Sequence, residues 1–182
     1  MRFQLLALVG LGLTSLVSSC AKKSDDQQPT PTPVALTLPL AVDLTAVRPA
    51  GKTSFTAGGI DFTGAGVPYS ALSAGGLIPC VSATNPVMRG TNYVELSTSD
   101  FNCLIADVSR VPAMQKITVT MFDNGRPSTQ LSLCDGSQVV ASSKNYTGVN
   151  PTVTYTLNVG GRTGSRFYIY SLEANIKTIA FE

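Results

Sequence analysis

Three observations predict an all-β chain folded as an antiparallel β-sandwich. Apolar and polar residues alternate with a period of two, turn residues separate the alternating runs, and no stretch sustains a helical period. "KITVTMFD" sets Ile117, Val119 and Met121 against Thr118 and Thr120. "TVTYTLNV" sets Val153, Tyr155, Leu157 and Val159 against Thr152, Thr154, Thr156 and Asn158. Such strands bury one face and wet the other. Two packed sheets let every strand bury its apolar face.

The first element is not part of that domain. Met1-Arg2 and the apolar run Phe3 to Val17 have the plan of a secretory signal peptide, and the run is too short to span a bilayer as a helix. Leu16-Val17-Ser18-Ser19-Cys20 resembles a bacterial lipobox, which implies cleavage after residue 19 and lipidation of Cys20. Val17 stands where such boxes most often carry leucine. Residues 20–33, "CAKKSDDQQPTPTP", have no apolar face and alternate proline with polar residues, so they read as a disordered, extended tether. Lys22-Lys23-Ser24-Asp25-Asp26 resembles the surface-export signal of Bacteroidota lipoproteins. The expected organisation is therefore a signal peptide over 1–19, a tether over 20–33 and a sandwich over 34–182. The expected location is lipid-anchored in the outer membrane, facing outward, with the membrane as a partner through that anchor.

Within the domain, strands are expected at "VALTLPLAV", "NYVELST", "FNCLIADV", "KITVTMFD", "QLSLC", "QVVASS", "TVTYTLNV", "RFYIYSL" and "NIKTIAFE". Turns are expected at Asp123-Asn124-Gly125, Asn150-Pro151 and Gly160-Gly161. Asp135-Gly136 marks a hairpin, because a tight turn needs positive φ there. From Ala57 to Asn92 the alternation weakens and glycines accumulate, so this reads as a long irregular loop with short strands at "GIDFTG" and "PYSAL". Ile117, Val119, Leu131, Val153, Leu157, Ile169 and Ile179 are the expected core.

Composition narrows the function classes. Only 13% of the 182 residues are charged, against about 25% in typical domains, and Thr, Ser, Gly and Val take their place. A net charge of +2 with acids and bases interspersed gives no basic patch for nucleic acid. There is no histidine, which removes Ser-His-Asp and Cys-His catalysis and the usual zinc and haem ligand sets. Paired-carboxylate chemistry needs two placed acids, whereas the acids of the domain are scattered singly. The reading is non-catalytic, with no cofactor and no metal.

With Cys20 carrying lipid, Cys80, Cys103 and Cys134 remain for an oxidising compartment. The expected bridge is Cys80–Cys103, which would contribute about 3 kcal/mol, leaving Cys134 as a buried thiol.

"TQLSLCDGSQVVAS", "YTGVNPTVTYTLNVGG" and the closing "RFYIYSLEANIKTIAFE" follow an order that resembles the galactose-binding-like jelly rolls, above all the β-sandwich modules attached to pectate lyases. "GTNYVELSTSDFNCLIADVS" resembles their middle strands. The resemblance implies carbohydrate binding, through aromatic faces and planar polar side chains. Tryptophan is absent, so Tyr69, Tyr93 and Tyr146 with Arg89 and Asn92 are the candidate contacts. Each tyrosine also suits a core-edge ring with its hydroxyl in water, the more ordinary fate, and Arg89 a solvated loop charge. Two classes stay open: a module binding polysaccharide, and a structural or adhesion module binding an envelope protein.

Overall fold

The computed structural model describes residues 34–67, 77–78, 80, 94–97, 102–123, 128–145 and 150–182. They lie in the compact unit Pro33–Glu182. Among them the regular elements are strands: β1 (Leu40–Asp43), β2 (Ser54–Ala57), β3 (Ile60–Ala65), β4 (Val94–Ser97), β5 (Cys103–Asp107), β6 (Met114–Asp123), β7 (Thr129–Asp135), β8 (Gln138–Asn145), β9 (Asn150–Arg162), β10 (Arg166–Tyr170) and β11 (Glu173–Phe181).

All pairings are antiparallel, and they build two sheets. One has the order β1-β11-β6-β9, with β4 on the free stretch of β11 beside β1; the other runs β2-β3-β5-β10-β7-β8. From β4 onward the chain passes repeatedly between the sheets, giving the half-sheets β4-β11-β6-β9 and β5-β10-β7-β8. This is the winding of a jelly roll. The alternation that predicts the strands also packs them. Ile117, Val119 and Met121 of β6 meet Phe167 and Ile169 of β10 and Leu131 and Leu133 of β7 in one core. The rings of Phe167 and Phe181 cross between the sheets edge to face, 6.2 Å apart. Ile117, Val119, Leu131, Leu157, Ile169 and Ile179 are all buried as expected, whereas Val153 is only partly buried at the rim.

Turn chemistry explains several boundaries. Asp135 pairs with Gln138, so β7 and β8 close over Gly136-Ser137, with Gly136 at φ +57°. An L side chain is costly in that left-handed region. Gly160 and Gly161 also have positive φ, but they do not end a strand. They form a bulge inside β9, where its register with β6 shifts between Met114 and Lys116. Asn150-Pro151 opens β9 instead of turning, which suits a proline because, among the described residues, β9 lies at a sheet edge. "SFTA" is a strand the alternation was too short to reveal. It pairs with β3, where Phe55 stacks on Phe62 at 5.0 Å. "GIDFTG" does form most of β3, and "PYSAL" lies outside the described residues.

Candidate functional site

Strands of the β5-β10-β7 stretch present alternate residues to the outer face of their sheet. On β10, Phe167 and Ile169 point to the core, so Tyr168 and Tyr170 point away from it. These outer tyrosines are nevertheless buried. They stack on each other, with centroids 5.6 Å apart, in a second cluster with Ala65, Val67, Ile78 and Cys80. The cover is fastened by side-chain amides that bind backbone through two bonds each. Asn102 accepts from the Val67 N–H (2.7 Å) and donates to its carbonyl (2.6 Å). Gln130 accepts from the Ile78 N–H (2.9 Å) and donates to its carbonyl (3.0 Å), while also donating to Ser132 Oγ. Buried amides with paired partners avoid the penalty of unsatisfied polar atoms.

The disulfide completes this fastening and corrects the expected pairing. Cys80 is bonded to Cys134 of β7, with Cα atoms 6.0 Å apart, and Cys103 is the buried free thiol. Proximity in sequence favours Cys80–Cys103. In the fold β10 separates β5 from β7, and Gln130 anchors Ile78 on β7, which delivers Cys80 to Cys134. Burial pushes the Cys103 thiol well up, outweighing a hydrogen bond with Tyr170 that draws it down. Burial first, then the neighbouring Cys103 and Tyr168, likewise push the Tyr170 phenol far up. Both groups are therefore neutral at ordinary pH, and Cys103 is no nucleophile.

Where the cover ends, a cleft of about 600 Å³ opens, lined by Cys80, Asp107, Ser109, Gly136, Ser137, Ser165, Arg166 and Tyr168. Register places Arg166 directly beside Asp107 on the neighbouring strand. Burial works against the Asp107 carboxylate, but hydrogen bonds from the Ser109 hydroxyl (2.6 Å) and N–H (3.0 Å), with Arg110 and Arg166 nearby, hold it below its ordinary range. Arg166 is exposed, and among the described residues no hydrogen bond or ion pair engages its guanidinium. Ser165 Oγ accepts from the Gly136 N–H and donates to the Cys134 carbonyl, joining the β7–β8 turn to the start of β10. Tyr168 is only 1% exposed, so it forms a floor and offers no stacking face. The cleft thus offers one ionised acceptor, one planar donor fork and several hydroxyls. Its described lining holds a single carboxylate, that of Asp107.

The sequence-derived contacts Arg89, Asn92, Tyr93 and Tyr146, with Tyr69 and the lipidation residue Cys20, lie outside the described residues. Asn102, Gln130, Asp107 and Arg166 were not singled out from sequence. Asp107, Gln130 and Arg166 are polar residues at outward positions of β5, β7 and β10, and Asn102 directly precedes β5. Among the described residues no three His, Cys, Asp or Glu side chains gather as a metal site, and no helix is long and apolar enough to cross a membrane.

No family model and no curated protein matches the chain. Among solved structures, the Stig cyclase Fisc from Fischerella sp. TAU, in complex with (3Z)-3-(1-methyl-2-pyrrolidinylidene)-3H-indole, aligns over 86% of this chain and 88% of its own. The identity is 15% and the TM-score 0.31, a likeness too slight to carry fold or activity across.

Proposed function

We propose that this chain is an extracytoplasmic lipoprotein, anchored through Cys20 in the outer membrane and facing outward. Its sandwich acts as a non-catalytic glycan-binding module. The observation that carries the reading is the exposed Arg166 guanidinium, which among the described residues makes no hydrogen bond or ion pair, beside ionised Asp107 in a serine-walled cleft. A planar donor fork next to an acceptor suits the vicinal hydroxyls of a sugar. The Cys80–Cys134 bridge supports export, since such bonds persist in oxidising compartments. Among the described lining residues no aromatic ring is exposed, so single-site affinity is expected to be low, and display of many copies on a surface compensates.

Affinity electrophoresis against pectins, xylans and host-type glycans tests this. The wild type should be retarded by at least one polysaccharide, and Arg166→Ala should remove most of that retardation. Tyr93→Ala and Tyr146→Ala test the contacts expected from sequence. No retardation by any glycan would move the reading to the structural or adhesion module. One observation favours that second reading: among the described residues, the thirteen-residue β9 is an edge strand.

A further inference from the structure

Among the described residues, the only strand that β9 pairs with is β6. Alternate residues of an edge strand direct their N–H and C=O groups away from the sheet, where they can template another strand. Proteins blunt such edges by keeping them short, by placing lysine or proline on them, or by kinking them with a bulge. The other edges here show these devices. β1 and β2 have four residues each, and β8 carries Lys144. From Thr152 to Val159 β9 has none of them. That stretch holds no Lys, Arg, Asp, Glu or proline, and its register with β6 is unbroken from Val153 to Asn158. Pro151 and the Gly160-Gly161 bulge are confined to its two ends.

We propose that β9 pairs antiparallel with β9 of a second copy of this chain, about a two-fold axis at Thr156, joining two sheets into one. A two-fold interface must be self-complementary, and this strand is. With the axis at Thr156, Thr154 faces Asn158 of the second copy on the polar side. Tyr155 faces Leu157, and Val153 faces Val159, on the apolar side. Arg162, the one charged side chain of β9, falls opposite Asn150, so no like charges meet. Moving one strand by a single residue sets polar positions against apolar ones across the whole ladder. A second copy is therefore the partner that this edge fits. The pairing is independent of the glycan reading, though it would present two clefts in one particle.

The test uses the full chain in detergent micelles, with single cysteines introduced at Thr156 and, as a control, at Thr118. Cα atoms facing each other across an antiparallel pair lie about 4.5–5.5 Å apart, within the span a disulfide bridges. Mild oxidation should convert Thr156→Cys to a disulfide-linked dimer. Thr118→Cys, on the same face but in the central strand β6, should remain monomeric on a non-reducing gel. Light scattering on the double variant Thr154→Lys/Asn158→Lys, which sets lysine against lysine, should show the dimer lost while circular dichroism keeps the wild-type β spectrum. The proposal is overturned by the absence of a Thr156→Cys dimer, by equal cross-linking at Thr118→Cys, or by a lysine variant that dimerises as the wild type does.

Discussion

Removing the Cys80–Cys134 bridge, in the double variant Cys80→Ala/Cys134→Ala, should be the most costly surface-side change in the molecule. The bridge spans a sequence separation of 54 residues. For a loop of that length the chain-entropy relation gives about 14 cal/mol/K of restricted freedom in the unfolded chain, or about 4 kcal/mol at 25 °C. The Gln130–Ile78 and Asn102–Val67 contacts do not involve the cysteines and should keep the native cover in place in the variant. The loss should therefore appear chiefly through the unfolded state. Urea unfolding, read by intrinsic tyrosine fluorescence and circular dichroism, should show a lower midpoint and a stability loss of about 3–4 kcal/mol. The slope against urea should rise, because the uncrosslinked chain exposes more surface when unfolded. Cys103→Ala removes one small buried group and should cost only about 1 kcal/mol. Reversal of that order, with Cys103→Ala costing about 4 kcal/mol and Cys134→Ala about 1 kcal/mol, refutes the fastening of the cover onto β7.

Other consequences follow from the core, the cleft and the N-terminal residues. Leu157→Ala and Ile179→Ala, both buried, should each lose about 2–5 kcal/mol in the same unfolding assay. Val153→Ala, at the rim, should lose less; equal losses at all three sites would mean a misplaced core boundary. Because the folded state depresses the Asp107 carboxyl, the unfolded chain takes up that proton first as pH falls. The stabilisation from Asp107 is present above the ordinary aspartate value, near 3.9, and is lost as pH drops from there through the folded value. Asp107→Asn should flatten that acid limb, and an unchanged limb would show the carboxyl to be unperturbed. Metabolic labelling with a fatty-acid analogue should mark the wild type and not Cys20→Ser, while equal labelling rules out the anchor.

Most strands were legible because alternation is a local signal tied to burial. Thr118 and Thr156, outward on β6 and β9, meet as cross-strand partners as their polarity implied. What escaped reading depends on contacts distant in sequence. β2 is four residues long and gains its definition from the register with β3. Gly160-Gly161 reads as a turn because positive φ serves turns and bulges alike, and the pairing with β6 decides between them. Nearness along the chain favours Cys80–Cys103, whereas Gln130, fifty-two residues from Ile78, helps set which strand Cys80 reaches. The cleft was illegible for the same reason. Asp107 and Arg166 are fifty-nine positions apart in sequence and adjacent only through the β5–β10 register. Tyr168 and Tyr170 read as strand residues, but nothing local shows that their outward face is covered.

The most direct measurement of the central claim is an amide chemical-shift map of the domain titrated with an oligosaccharide from whichever glycan retards it. A glycan in the cleft should shift Asp107, Ser109, Gly136, Ser137, Ser165 and Arg166, and the Arg166→Ala protein should show none of these shifts at the same ligand concentration. Saturable shifts confined to the threonine-bearing outer face of β6 and β9, or no saturable shift with any glycan, would contradict it.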